Sequence, residues 1–447
     1  MATISKRDLH HSLSDPSLAT ITFLNEIMTR HPDAISFAPG APNPTFFDDL
    51  DVSKAIERYI DYLMQKKGFT LAQSRRQIYQ YGPSQGQINE LVAESLRLDH
   101  DIRVLPEEIV ITVGCQEAVL LAVRALCATA NDVLAIINPR FVGIAGAAQV
   151  LDVETAAVAE SNDAVDLKGL QAICNAARRG GKRVRALYVA PDFSNPSGMV
   201  LDLNARQALL QVAQDEDLLV LEDNAYGFTA DPAIALPTLK ALDTCSRVIY
   251  LGTFSKVCLP GVRVGFIIAD QTVKDSTGNL RTLAQELASL KNMITLNTSP
   301  VAQAIVGGLL LEYGCSLTSV GREKSALYQR NLKLLLGALE RHVGNSKKGQ
   351  SGITWNTPRG GFYVTMDLPV EADNRLLEIS VGEYGVLWTP MSNFYVGHAG
   401  DNQIRLSCSY LTPDNIEEGV RRLARFLQDK RVTAHKQSGS FSRSLAL

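Results

Sequence analysis

The stretch Thr253-Phe254-Ser255-Lys256-Val257-Cys258-Leu259-Pro260-Gly261-Val262-Arg263-Val264-Gly265-Phe266 decides the fold. An apolar run, Val248-Ile249-Tyr250-Leu251, leads into it, and a second, Val264 to Ala269, leads out. A lysine held between two strands in apolar surroundings loses pKa and becomes a nucleophilic amine suited to Schiff-base chemistry. The hydroxyls of Thr253 and Ser255 and the guanidinium of Arg263 are donors for an anion. Taken alone, the segment also reads as an exposed loop carrying a lysine, the commoner fate of that residue.

Three other segments follow the same pattern. Ala190-Pro191-Asp192-Phe193-Ser194-Asn195-Pro196-Ser197-Gly198 follows the run Ala186 to Val189. Leu218-Leu219-Val220-Leu221 ends in Glu222-Asp223-Asn224-Ala225-Tyr226-Gly227. Ile109-Val110-Ile111-Thr112-Val113 ends in Gly114-Cys115-Gln116-Glu117. Parallel strands look this way when both faces are buried and the carboxyl ends carry the site.

In this order the segments resemble the fold-type-I pyridoxal-phosphate (PLP) enzymes. The resemblance is to class I aminotransferases, in the branch with the kynurenine, α-aminoadipate and aromatic aminotransferases. It runs from about Ile35 to about Leu427 and rests on SNPSG at 194–198, EDNAY at 222–226, and TFSK at 253–256 followed by PGVRVGF at 260–266. It implies an α/β fold, with a mainly parallel sheet in a large PLP-binding domain and a smaller α+β domain. It also implies a homodimer with shared active sites.

The resemblance assigns the site residue by residue. Lys256 is the lysine that bonds the cofactor and moves the substrate proton. Gly114, Cys115, Gln116, Thr253, Ser255 and Arg263 form the phosphate cradle, and Tyr81 reaches the phosphate of the neighbouring subunit. Asp223 pairs with the pyridine nitrogen, Asn195 and Tyr226 face the ring oxygen, and Phe141 stacks on the ring. Arg405, with Asn195 and the backbone near Gly40, binds the amino-acid carboxylate. Two positions depart from the family, which usually has Ser or Thr near Cys115 and Tyr or Trp at Phe141. Plainer readings stay open: a helix cap for Asp223 and for the Gly114 turn, a surface charge for Arg263, a packed loop tyrosine for Tyr81, and an internal salt bridge for Arg405.

Composition bounds the rest. The chain has 447 residues, 46% hydrophobic and 20% charged, with net charge −3, enough for a large core and more than one domain. No basic patch points to nucleic acid. The 7 cysteines are scattered and form no CxxC pair, which suits a reducing cytoplasm. The start, MATISKRDLHHSLSD, lacks the apolar core of a signal peptide, and no stretch approaches a membrane span. The 7 histidines show no ligand spacing, so no metal is expected.

Hydrophobic patterning predicts strands at 109–113, 133–137, 186–190, 218–222, 247–251 and 263–269, with helices at 115–128, 166–178 and 203–216. A long helix at about 316–344 leads to strands near 362–367 and 403–409 and a last helix at about 414–429. The expected division is an arm at 1–44 contributing to the small domain, a large domain at 45–315, a small domain at 316–431, and a disordered tail at 432–447. The block Phe23 to Ile27 with Ala34 to Gly40 resembles, more loosely, aminotransferases of antibiotic pathways that make dihydroxyphenylglycine-type amino acids. A hydrophobic or aryl substrate side chain is therefore expected, with Arg30 as a candidate substrate-side residue. Alternatives are another reaction of the same fold (decarboxylase, lyase or PLP oxidase) or a PLP-binding regulator.

Overall fold

The computed structural model describes residues 2–14, 26–161, 164–231, 235–344 and 352–429. The expected tail at 432–447 lies outside these, as do Phe23, Leu24 and Asn25 of the early block.

Eight strands form the central sheet: β1 (Ile109–Thr112), β2 (Asp132–Asn138), β3 (Glu154–Ser161), β4 (Ala164–Val165), β5 (Arg183–Val189), β6 (Leu219–Asn224), β7 (Val248–Thr253) and β8 (Gly265–Ile268). Their order is β1-β8-β7-β6-β5-β2-β3-β4. β7, β6, β5, β2 and β3 run parallel. β8 is antiparallel to both its neighbours, and β4 to β3. The segment joining β7 to β8 is too short for a parallel crossover, so the chain reverses and passes Lys256 on the way.

Successive side chains of each strand serve opposite faces. In β5, Ala186 and Tyr188 join the core formed with α1 (Gly114–Leu126), while Leu187 and Val189 join the core on the other face. Fully burying one such Leu or Val contributes roughly 1.5–3 kcal/mol before entropy is subtracted. The same alternation splits the adjacent acids of β6: Asp223 faces α1 with Leu221, and Glu222 faces away with Val220.

A second, four-stranded antiparallel sheet comprises Thr354–Trp355, Tyr363–Asp367, Gln403–Ser407 and Thr389–Pro390, in that spatial order. Its core holds Trp388, whose indole N–H donates to Ser380 Oγ at 3.0 Å. The arm is stitched into this core. Ile35–Ser36 pairs in parallel with Val386–Leu387, and the buried Phe37 accepts from Ser407 N and donates to Leu387 O, both at 2.7 Å. One helix supports the large sheet and another joins it to the small one. α2 (Leu283–Ile294) packs beside α1. α3 (Thr318–His342) anchors its first half through Lys324 Nζ to Val257 O, 2.6 Å, and its second half through Asn331 to Cys408 O, 3.0 Å.

Among the described residues, no helix is long and apolar enough to cross a membrane. The exposed His10 Nε2 and His11 Nε2 lie 3.2 and 3.3 Å from the Asp152 carboxylate.

Candidate active site

The carboxyl ends of β1, β5, β6 and β7 open into a cavity of about 400 Å³, closed on its far side by the small sheet and the arm. Gly40, Cys115, Gln116, Phe141, Asn195, Asp223, Tyr226, Thr253, Ser255, Lys256, Arg263 and Arg405 all line it. Gly114 begins the helix that forms one wall.

Lys256 follows β7 directly. Its Nζ donates to Gly40 O at 2.6 Å, a contact made by residues 216 positions apart. Burial lowers its pKa to about 8; the cations Arg263 and Arg405 push the same way, and Asp223 opposes them. An appreciable neutral fraction at ordinary pH makes it a nucleophile and base.

Asp223 accepts the Tyr188 hydroxyl at Oδ2 and has Cys115 Sγ 4.0 Å from Oδ1. Burial pushes it up to about 6, against the Tyr188 hydrogen bond and the Lys256 charge. It caps no helix. Glu222, one residue earlier, accepts the backbone N–H groups of Leu239 and Lys240 at 2.8 and 2.7 Å.

The anion end is built from α1 and the turn before β8. α1 starts at Gly114 without a side-chain cap, so its first N–H groups and its dipole face the cavity. Arg263 Nη1 donates to Ser255 Oγ at 3.3 Å and to Pro260 O at 3.4 Å. Gly114 has φ +70°, and a Cβ there would lie 2.5 Å from Arg263 Nη2. Only glycine satisfies both the backbone and the space.

Arg405 lies opposite, in the strand Gln403–Ser407, and is buried. Nη1 donates to Asn195 Oδ1 at 2.6 Å, and Nη2 to Ala38 O at 3.0 Å and Thr389 Oγ1 at 3.4 Å. Its Nε has no partner. Its guanidinium carbon stands 4.3 Å from the Tyr363 ring centre and 4.9 Å from that of Phe394. Among the described residues no carboxylate pairs with Arg405, so the internal salt bridge does not form there. A buried cation held by neutral groups has room for a bidentate anion.

Tyr188, Tyr363 and Phe394 are aromatic lining residues that sequence reading did not single out. Each stands in or beside an apolar run, where an aromatic reads as core. Two candidates lie outside the cavity. Arg30 is exposed and is not among the lining residues. Tyr81 is 81% exposed, and Tyr79, two residues before it, and Met293 are also exposed.

The donor set fits a phosphorylated pyridine aldehyde: a guanidinium and a free helix start for the dianion, a buried carboxylate for a protonated ring nitrogen, and an amine of lowered pKa. Comparison with known proteins agrees. The model of the family "Aminotransferase class I and II" matches residues 42–423, and the chain belongs to that family. It is 44% identical over 421 residues, covering 94% of each chain, to an (S)-3,5-dihydroxyphenylglycine transaminase of Amycolatopsis orientalis. It is 31% identical to a 2-aminoadipate transaminase of Thermus thermophilus, covering 90% of this chain and 92% of that one. Among solved structures, a kynurenine aminotransferase of Pyrococcus horikoshii in complex with PMP superposes with TM-score 0.78 at 25% identity, covering 96% and 97%. The α-aminoadipate aminotransferase LysN of Thermus thermophilus, complexed with N-(5'-phosphopyridoxyl)-L-leucine, gives TM-score 0.74 at 29% identity, covering 94% and 98%. The fold is that of the fold-type-I aminotransferases, the chain is a transaminase acting on amino and oxo acids, and its cofactor is pyridoxal 5'-phosphate.

Proposed function

We propose that the amino donor carries an aryl or other hydrophobic side chain and that its amino group passes to a 2-oxo acid by a ping-pong cycle. The lining of the cavity carries this reading. Among the described residues it contains two arginines, one at each end, and its walls between them include Phe141, Val142, Tyr363 and Phe394. Arg263 serves the phosphate end and Arg405 the α-carboxylate, so no third guanidinium lines the cavity for a side-chain acid. The dihydroxyphenylglycine transaminase at 44% identity supports the same choice.

The cofactor, when bound, supplies an aldehyde carbon for the amino group and a ring that takes up electrons from the Cα–H bond. This chain's residues do the rest. The Gly114 helix start, Cys115, Gln116, Thr253, Ser255 and Arg263 hold the phosphate. Asp223 keeps a proton on the ring nitrogen; beside that cation its own pKa falls below the present value of about 6. Phe141 packs on the ring face, and Asn195 and Tyr226 donate to the ring oxygen. Arg405 orients the α-carboxylate with Asn195, beside the Gly40 backbone. Lys256 would take the proton from Cα and return it to the cofactor's C4′, across the intervening nitrogen.

We further infer a homodimer, in which Tyr81 reaches the partner's phosphate, and a cytoplasmic setting. The exposure of Tyr81, Tyr79 and Met293 supports a covered surface there. The division at about 44 and 315 is supported by a separate apolar core in the small sheet. One experiment tests the substrate. The PLP-loaded protein is mixed with arylglycines, aromatic amino acids, 2-aminoadipate and aspartate, and the loss of visible absorbance is timed. Faster conversion by either dicarboxylate overturns the reading.

A further inference from the structure

Tyr363 stands where the two ends of the cavity meet, and nothing above gives it a task. It is fully buried at the start of its strand, pairing with Ser407, while Thr365 pairs with Arg405. Tyr363 and Arg405 are thus diagonal neighbours on one face, and the ring lies 4.3 Å from the guanidinium carbon. On its other side the Tyr363 hydroxyl lies 3.0 Å from the Tyr226 hydroxyl, with the two rings edge to face. That is the one hydrogen bond of the Tyr363 hydroxyl among the described residues.

The hydroxyl is not there to fill space. A Cβ on Gly40 would fall 1.8 Å from it, so the neighbouring backbone must be glycine to admit it. A phenylalanine would pack the same ring, whose Cζ, 2.9 Å from that position, already demands glycine. What the hydroxyl adds is its hydrogen bond to Tyr226.

We propose that Tyr363 is a positioning residue that ties carboxylate recognition to the electronics of the cofactor. Its ring face holds Arg405, and its hydroxyl donates to Tyr226, leaving the Tyr226 proton for the cofactor's ring oxygen. A donor that is itself hydrogen-bonded donates more strongly. The charged and titratable groups facing Tyr226 are Tyr363 and Arg405 from the small sheet, and Tyr188, Asp223 and Lys256 from the large one; Lys256 Nζ lies 6.0 Å from its ring centre. Burial keeps Tyr226 protonated well beyond neutral pH. The assignment rests on the roles proposed above for Arg405 and Tyr226.

The test uses cofactor-loaded protein and two readouts, the pH midpoint of its visible absorbance and the binding of 3-phenylpropanoate, a carboxylate without an amino group. Tyr363→Phe weakens the donor that favours the deprotonated, ring-oxygen-anion form, so the midpoint rises by on the order of half a pH unit. Its affinity for 3-phenylpropanoate stays at the wild-type level. Tyr363→Leu removes the ring as well and weakens that affinity by roughly fivefold or more. A wild-type midpoint in Tyr363→Phe, or wild-type affinity in Tyr363→Leu, overturns the proposal. Tyr226→Phe is the control and should raise the midpoint further. If Tyr226→Phe moves it and Tyr363→Phe does not, the link alone is wrong. If neither moves it, the ring-oxygen role of Tyr226 falls too.

Discussion

Among the cations of the interior, Arg206 and Lys291 in the scaffold and Arg405 and Lys256 in the cavity are not built alike. Behind the loop that carries Asn195, Arg206 is fully buried and fully occupied. Both its Nη groups meet the carboxylate of Asp192, and its remaining N–H groups go to Leu201 O, Pro237 O and Pro191 O. Beside α1, the buried Lys291 is closed off by Glu117 and Thr295, each at 2.7 Å. In the cavity, Arg405 has three neutral acceptors and an idle Nε, and Lys256 has one backbone carbonyl. A completed ion pair belongs to the scaffold. A buried cation left without its anion is costly: Lys324 rests on the carbonyls of Val257 and Cys258 away from the cavity, whereas Arg405 and Lys256 stand where an outside anion can reach them.

The largest expected effect lies on the unfinished side. Lys256→Ala should reduce turnover by several orders of magnitude, since nucleophile and proton carrier go together. Its folding stability at neutral pH should hold or rise, because a poorly solvated cation is removed. Borohydride reduction of the loaded protein and peptide mapping should mark Lys256; a mark on another lysine would break the comparison at its centre.

Next comes the finished side. Arg206→Met strands the Asp192 carboxylate and should cost about 3–5 kcal/mol of folding stability. Urea denaturation followed by circular dichroism reads it. A loss no greater than that of Arg405→Met would erase the distinction between the two arginines.

A smaller effect separates substrate from cofactor. Arg405→Lys keeps a charge but loses the two-pronged geometry, so kcat/KM for amino acids should fall by a few kcal/mol, on the order of a hundredfold. The variant should stay yellow, and simple amines without a carboxylate should react nearly as before. Equal losses for amines would make Arg405 structural.

The smallest effect is a slope. Lys256 has its pKa near 8 in the folded, cofactor-free chain against 10.5 ordinarily. Between those values the unfolded chain binds more protons than the folded one, so this group makes stability rise with pH across that window. The penalty is complete below about 8 and gone above 10.5. Wild type minus Lys256→Ala, compared at several pH values, isolates it. A flat difference would mean the amine is solvated.

The candidate site was largely legible because buried parallel strands write themselves as apolar runs, and their polar endings mark the cavity rim. The runs at 109–113, 133–137, 218–222 and 247–251 fall within a few residues of β1, β2, β6 and β7. β3 was not legible, because Glu154–Ser161 is mostly alanine and polar residues on a strand near the sheet edge. The reversal of β8 was missed because hydropathy carries no direction. Tyr188 and Tyr363 went unnoticed for a different reason. Their rings belong to apolar cores, from which the Tyr188 hydroxyl reaches Asp223 and the Tyr363 ring faces Arg405. What Arg405 lacks could not be read at all, since absence of a partner is a property of three dimensions.

The stitched arm has a consequence for how the molecule is made. Phe37, Ala38 and Gly40 leave the ribosome early, yet Ala38 waits for Arg405, 367 residues later, and Phe37 for Ser407. Contacts of such sequence separation close last. During synthesis the large sheet can therefore assemble its anion end while the carboxylate end does not yet exist. On the role proposed for Arg405, amino-acid recognition arises only when the segment at 37–40 meets the strand at 403–407.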